Sequence, residues 1–416
     1  MYSTVTIKVG EVPLAVGDVL EVVIGQIAHG GHFIAHAQGR TIFVRHAITG
    51  ESARIKITEV RSKMVRADAV EILVKSPDRV AAPCEFAGPG ACGGCDFQHI
   101  NIARQRSLKQ QVVQDAFRRH ARLDDVAVVV ESVSGDQSGL SWRTRVRWSV
   151  DSSGHLGFHR FRSSEILAVN TCLIATQGQG GVPDRTYPGA LEVRSAQGSD
   201  GELVISNNAS GSISSRRVNQ EVLGRNWNID IESFWQGHVG AAEALVRAVL
   251  DLGNPQPGET WWDLYSGVGL FSGYLSSAVG PNGLVVAVEG SARSVRDARR
   301  NLQHDHQVKL VESDVGRWLA KVADHGPADH GLVSGIVLDP PRTGIGPVIV
   351  RQIAAQEPRV VVYVACDPVA LARDVEIFAA FGYRLDKITG FDVFPMTHHV
   401  EVVATLVPIP GHDQIS

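Results

Sequence analysis

The segment DLYSGVG, residues 263–269, decides the fold of the C-terminal half of this chain. It lies between an apolar run that is typical of a strand and a helix-like segment, and its small residues allow the backbone to approach a ligand closely. Further strands alternate with helical segments around it. The predicted strands are Thr260–Tyr265, Gly283–Glu289, Val308–Glu312, Gly335–Asp339, Arg359–Ala365 and Val400–Val407, and the helices between them include Ala292–His304 and Val369–Phe381. This order predicts an α/β fold with a doubly wound, Rossmann-like sheet from about residue 232 onward.

The glycine turn differs from a dinucleotide-binding fingerprint. The third glycine of that motif would fall at position 272, which is Ser272, and this argues against the pyrophosphate clamp of a dehydrogenase. Glu289 ends the next strand, where its carboxylate can accept hydrogen bonds from a ribose diol. The pattern favours an adenosyl ligand such as S-adenosylmethionine over NAD. The simpler interpretation is a structural turn followed by a solvated glutamate.

Reactive side chains follow later strands of the same predicted sheet. The motifs DPPR at 339–342 and ACDP at 365–368 end successive parallel strands, so Asp339 and Cys366 are expected to face one crevice. A cysteine at such a position is often only a small buried hydrophobe. The stretch FPMTHHVE, residues 394–401, brings Glu401 to the start of the last strand. There its carboxylate can act as a general base in the same crevice.

The N-terminal region has the pattern of a small antiparallel barrel. Short β-rich runs at 19–24, 41–44 and 53–57 are separated by glycines, among them Gly30 and Gly31. Ten basic and eight acidic residues precede residue 80, a balance that most often belongs to a solvated surface. Farther along, WRTRVRW at 142–148 alternates arginines with apolar residues. We expect this strand to present its arginines to RNA.

Composition limits where the protein acts and what it binds. The 416 residues carry 40 basic and 44 acidic side chains, a net charge of -4, so any nucleic-acid surface must be local. No window approaches the ~20 apolar residues that a membrane-spanning helix needs. The first six residues lack a basic region followed by an apolar run. We therefore expect a cytoplasmic protein that does not contact a membrane.

The chain has five cysteines, and their spacing separates one from the other four. An odd number without an export signal argues for metal binding or a reactive thiol rather than for disulfides. Cys84, Cys92, Cys95 and Cys172 provide four thiolates, enough to close a metal site. From the residues alone, zinc and an iron–sulfur cluster are equally open. Cys366 then remains as the candidate reactive thiol.

In their order along the chain, these motifs resemble the class I uracil-C5 RNA methyltransferases, which make 5-methyluridine in transfer or ribosomal RNA. The resemblance also includes FWQ at 234–236, LARD at 371–374 and HVE at 399–401. It implies three parts: a TRAM-like, OB-like barrel that binds RNA (residues 1–78), a central α+β RNA-binding region with an iron–sulfur cluster (79–231), and a methyltransferase domain (232–416). RNA is then the expected partner, and we expect a monomer without an obligate protein partner.

The resemblance also implies roles for individual residues. Cys366 matches the nucleophile and Glu401 the base. The positions that match contacts to S-adenosylmethionine are Gln236, Tyr265, Gly267, Gly269, Glu289, Asp314 and Asp339. The four remaining cysteines match the ligands of the iron–sulfur branch, which favours a 4Fe–4S cluster over zinc. This chain departs from the family at Ala365 and Asp367, where Ser-Cys-Asn-Pro is common, and at Leu270, where a polar residue is common.

The chemistry explains why a thiol and a carboxylate are both required. Carbon 5 of uracil is a weak nucleophile, so a thiolate first adds to carbon 6 and generates an enolate. After methyl transfer, a carboxylate removes the proton from carbon 5. The target uridine must leave its stack to be reached. The alternatives are a non-catalytic RNA-binding or chaperone protein with the same fold, and a small-molecule methyltransferase, which would not explain the barrel.

Overall fold

The computed structural model describes residues 13–135, 138–169, 171–176, 186–208, 217–325 and 332–411. The first six residues, whose composition gave no sign of an export signal, lie outside these ranges. Within the described ranges, no helix is both long and apolar enough to cross a membrane.

The N-terminal module is a barrel of six strands. The strands are β1 (Val19–Val23), β2 (Ile27–Ala28), β3 (His32–Ala37), β4 (Arg40–Arg45), β5 (Ser52–Arg61) and β6 (Met64–Val74). They pair in the order β1-β5-β6-β4-β3-β2, and a hydrogen bond from Gly25 N to Ile34 O closes the sheet between its first and third strands. The expectation of a purely antiparallel barrel is wrong in one pairing, because β4 and β6 run parallel. The barrel interior is filled by side chains such as Phe33, Ile42 and Ile55, which are buried.

The central region combines helices with a second sheet. It contains α1 (Ile102–Ala116), a π-helical turn (Phe117–Ala121), β7 (Val130–Glu131), β8 (Arg145–Val150), β9 (Leu156–His159), β10 (Ile166–Ala168), β11 (Ala190–Gly198), β12 (Gly201–Asn208), β13 (Arg217–Val222) and β14 (Arg225–Asp230). Strands β8 to β12 form one antiparallel sheet around Trp148 and Val193. The hairpin β13–β14 precedes the expected boundary at 231, yet its Trp227 packs in the core of the C-terminal domain.

The C-terminal domain contains the predicted doubly wound sheet. Its elements are α2 (Ala241–Gly253), β15 (Thr260–Leu264), α3 (Leu270–Val279), β16 (Leu284–Glu289), α4 (Ala292–Asn301), β17 (Val308–Glu312), α5 (Val315–His325), β18 (Gly335–Leu338), α6 (Gly346–Ala354), β19 (Val360–Ala365), α7 (Pro368–Ala380), β20 (Tyr383–Phe391) and β21 (Glu401–Pro408). The strand order is β17-β16-β15-β18-β19-β21-β20-β7. The strands β15 to β19 are mutually parallel, and β21 runs antiparallel to β19. The start of β21 therefore lies at the same edge as the carboxyl ends of the parallel strands.

Candidate active site

The glycine turn after β15 has positive φ angles and packs closely against the Leu302 side chain. Tyr265 has a φ of 66°, and Gly269 has a φ of 90°. A Cβ atom at Gly269 would lie 2.6 Å from Leu302 Cδ1, so only glycine fits there. The Gly267 N–H donates to Glu289 Oε2 at 2.9 Å, which ties the turn to the end of β16. The turn and Glu289 thus form one wall of a crevice.

This crevice has a volume of about 770 Å³, which lies in the range of small-molecule and cofactor sites. Its lining includes Gln236, Tyr265, Gly267, Glu289, Asp339, Cys366 and Glu401, together with Phe234, Trp235, Phe271, Arg342 and Phe394. Two of the expected cofactor residues, Gly269 and Asp314, are not part of this lining. Gly269 faces Leu302, and Asp314 accepts the N–H of Arg317 at the start of α5.

Strand register brings the thiol and the expected base together. Ala365 pairs with Val402 across the antiparallel strands β19 and β21. Cys366, which follows Ala365, and Glu401, which precedes Val402, are therefore neighbours at the crevice edge. Burial raises the pKa of Cys366 to about 11, with a further contribution from Glu401, while Arg342 acts in the opposite direction. The thiol is therefore protonated at neutral pH before substrate binds.

Three carboxyl groups with raised pKa values lie close together at this crevice. Burial raises the pKa of Asp263 to about 7, although Ser272 Oγ donates to it at 2.5 Å. Burial and the neighbouring Asp263 also raise the pKa of Asp339 to about 7. The pKa of Glu401 is raised well above its usual value by burial and then by Asp339. A cationic ligand in this crevice would favour the ionised carboxylates.

The loop between β20 and β21 is fixed by residues that the sequence patterns did not single out. The Phe97 N–H donates to Met396 O at 3.0 Å, and Gln105 Oε1 accepts the Met396 N–H at 2.9 Å. Asp96 Oδ1 accepts the His398 N–H at 2.9 Å, and its Oδ2 lies 2.5 Å from His398 Nδ1. These contacts join the cysteine-bearing segment to the loop that leads into Glu401. They connect distant parts of the chain, so no local signal could have revealed them.

The four cysteines expected to bind metal line a second cavity, of about 310 Å³, separate from Cys366. Burial raises the pKa of the Cys92, Cys95 and Cys172 thiols. Among the residues that the structure describes, no three side chains of the ligating types are grouped closely enough to hold a metal ion. The thiols thus share a cavity without meeting around one ion.

The arginines of β8 and the residues before it do not form the exposed basic face that the alternation suggested. Arg145 is largely buried and donates to Ser233 O at 2.6 Å. Arg143 lines the cysteine cavity and donates from Nε to Arg145 O. Arg147 is exposed and pairs with Glu192. Backbone carbonyls therefore accept hydrogen bonds from both of the first two arginines, within the same segment for Arg143 and from the segment after β14 for Arg145.

Two family models match parts of this chain, and relatives match it along nearly its whole length. Residues 13–70 match the TRAM domain model, and residues 218–407 match the tRNA (Uracil-5-)-methyltransferase model. An uncharacterized RNA methyltransferase of Streptomyces avermitilis is 39% identical over 94% of this chain and 99% of its own length. One of Streptomyces coelicolor is 40% identical over 94% of this chain and 93% of its own.

A solved structure has the same overall fold. The tRNA (uracil-54, C5)-methyltransferase of Pyrococcus abyssi, in complex with S-adenosyl-L-homocysteine, gives a TM-score of 0.69 at 21% identity. The match covers 93% of this chain and 100% of that chain. It extends through the barrel, the central region and the doubly wound sheet.

Proposed function

Because this chain belongs to the family of S-adenosylmethionine-dependent RNA (uracil-5-)-methyltransferases, we propose that it methylates carbon 5 of a specific uridine in transfer or ribosomal RNA through a covalent bond from Cys366. The observation that carries this proposal is the strand register that places Cys366 beside Glu401 in one crevice. The TRAM domain supports an RNA substrate.

In the proposed first step, the Cys366 thiol loses its proton to water, and the resulting thiolate sulfur adds to carbon 6 of the uracil. The π-electron pair of the C5–C6 bond moves to the carbonyl oxygen on carbon 4, which becomes an enolate. Arg342, which counters the effect of burial on the thiol pKa, favours the thiolate. S-adenosylmethionine supplies the methyl group that carbon 5 receives.

In the proposed second step, Glu401 removes the remaining proton from carbon 5. The C–H electron pair restores the C5–C6 double bond, and the Cys366 thiolate leaves. Glu401 is buried at 3% exposure and its pKa is raised, which suits a carboxylate that must take up a proton. The two residues therefore act at successive steps.

We propose that the expected cofactor residues bind S-adenosylmethionine from several walls of the crevice. Gln236, Tyr265, Gly267, Glu289 and Asp339 support this by lining it. Gly269 shapes the turn, and Asp314 lies near enough to influence the Tyr265 hydroxyl electrostatically. The raised pKa values of the buried carboxyls make the crevice suitable for a cationic methyl donor.

We also propose that Cys84, Cys92, Cys95 and Cys172 bind a 4Fe–4S cluster with a structural role. The cavity they share supports the fit. To bind one zinc ion, all four cysteine sulfurs would have to lie about 2.3 Å from the same point. A cluster of four irons is wider, so its ligands stand farther apart. The cluster would brace the segment that holds the loop before Glu401.

The decisive experiment maps 5-methyluridine in cellular RNA with and without this protein. Loss of one methylated uridine, restored by the wild-type gene and not by a Cys366→Ala variant, is the expected result. An unchanged methylation map would favour the non-catalytic RNA-binding alternative. The position that loses its methyl group would also distinguish transfer RNA from ribosomal RNA.

A further inference from the structure

The hairpin between β2 and β3 of the barrel reaches the segment that carries the nucleophile. His29 Nε2 lies 3.2 Å from Asp367 Oδ2, and Asp367 directly follows Cys366. The His29 side chain is 49% exposed and the Asp367 side chain 22% exposed. The contact therefore lies at the surface of the joint between barrel and catalytic domain.

Asp367 is engaged through both of its oxygens. Oδ1 accepts the N–H groups of Val369 at 2.9 Å and Ala370 at 3.0 Å, which caps the start of α7. Oδ2 faces His29. Partial burial alone would raise the pKa of Asp367, but His29 and the two N–H groups lower it, so the carboxylate is ionised. An asparagine at this position would keep an oxygen for the cap and lose the charge toward the barrel.

The same hairpin also touches the other side of the crevice. A Cβ atom at Gly31 would lie 2.7 Å from both Asp96 Oδ2 and His398 Cβ. Gly31 has a φ of 74°, so a side chain at this position is excluded both by space and by backbone conformation. His398 precedes Glu401 by three residues. The hairpin thus packs against the supports of both proposed catalytic groups.

We propose that His29 is a positioning residue for methyl transfer: through Asp367 it fixes the turn that carries Cys366. The barrel would then complete the active site in addition to contacting RNA. This inference rests on the proposed role of Cys366. A polar contact whose histidine side chain is half exposed contributes little to folding stability. Its loss should therefore appear in the reaction rate rather than in the melting temperature.

The test compares single-turnover methylation at saturating RNA with RNA affinity measured separately. We expect His29→Ala to slow methylation by about tenfold, since small displacements of a reacting group are costly. RNA affinity should change by less than about twofold, because the variant acts on the thiol turn. His29→Gln retains a side-chain N–H donor and should recover most of the rate. His36→Ala is the matched control, since His36 is an exposed histidine of the same barrel whose ring lies 3.5 Å from Thr41.

A double-mutant cycle tests whether His29 acts through Asp367. If it does, His29→Ala should add nothing on an Asp367→Asn background. Additive rate losses, or a loss of RNA affinity that accounts for the whole effect, would overturn the inference. The inference would also be overturned if the wild type methylates RNA and the His29→Ala variant does so at the same rate. A wild-type protein that methylates no uridine would refute the proposed function instead, so the two failures are distinguishable.

Discussion

Lys109 and Asp392 form an ion pair in which both side chains are fully buried. Lys109 lies on α1 of the central region, and Asp392 begins the loop that leads from β20 to Glu401. The Lys109 ammonium also donates to Phe394 O at 2.9 Å, and Arg106 Nε lies 3.4 Å from the second Asp392 oxygen. Charges removed from water in this way must remain paired. The central region and the catalytic loop are therefore expected to fold as one unit.

The first prediction concerns this pair. Lys109→Met would leave Asp392 buried with Arg106 as its remaining cation, and breaking a buried pair typically costs about 3–5 kcal/mol. We expect the free energy of unfolding in guanidinium chloride to fall toward that range. Arg247→Met is the control, because the Arg247–Glu243 pair on α2 is exposed and should contribute about 1 kcal/mol or less. Equal losses in the two variants would contradict the prediction.

The second prediction separates the proposed nucleophile from the proposed base. Cys366→Ala should abolish covalent addition and methylation together, since no enolate forms. Glu401→Gln should permit addition and methyl transfer but block proton removal, which traps the enzyme on its RNA. We therefore expect a denaturant-resistant protein–RNA adduct on gels with Glu401→Gln and S-adenosylmethionine.

The double variant Cys366→Ala/Glu401→Gln is the control for this adduct and should show none. Methylation that survives in Cys366→Ala would refute the nucleophile assignment. An inactive Glu401→Gln variant without an adduct would leave the thiol in place and assign the base to another group.

The alternation of strands and helices in the sequence was enough to predict the doubly wound sheet whose edge forms the crevice. The parallel strands were predicted because apolar, strand-like runs alternate with helical segments in this half of the chain. Once that sheet was expected, Asp339 and Cys366 had to lie at one edge. Glu401 reaches the same edge because β21 runs antiparallel to β19, a direction that the sequence analysis did not predict. The strand β20 was missed, because its sequence YRLDKITGF interrupts apolar residues with charged ones. Beside β21 on one side, it pairs on the other only through Gly390 and Phe391 with the short strand β7.

The contacts that hold the crevice were beyond any local pattern. Lys109 and Asp392 are 283 positions apart, and Asp96 and His398 are 302 positions apart. Such pairs are created by tertiary packing and have no periodic signature. The expected RNA-binding role of Arg145 illustrates the same limit. Alternation correctly predicted a strand, yet the Arg145 side chain donates to the backbone carbonyls of Ile231 and Ser233 in the segment that packs over it.

The third prediction follows from the pKa of Cys366, which burial raises to about 11. Alkylation by iodoacetamide requires the thiolate, so its rate in the ligand-free protein should rise about tenfold per pH unit between pH 7 and 10. Glu401→Gln removes a negative neighbour, lowers the thiol pKa and should speed alkylation at pH 8. Arg342→Gln removes a positive neighbour and should slow it.

Mass spectrometry of the peptide that contains Cys366 provides the measurement for both variants. The opposite signs are the internal control, because a change in access alone would not reverse with charge. A shift in the same direction for Glu401→Gln and Arg342→Gln would mean that space, rather than electrostatics, sets the reactivity of this thiol.

The last prediction concerns the four cysteines that share the second cavity. Protein purified without oxygen should be brown and contain about four irons per chain. Cys95→Ser should lose the iron, whereas Cys366→Ser should retain it, because Cys366 lines the other crevice. Iron loss should also slow methylation, since Asp96, next to Cys95, holds His398 in the loop before Glu401. Stoichiometric zinc with no iron in such a preparation would refute the cluster, and full methylation by iron-free protein would refute its support of the catalytic loop.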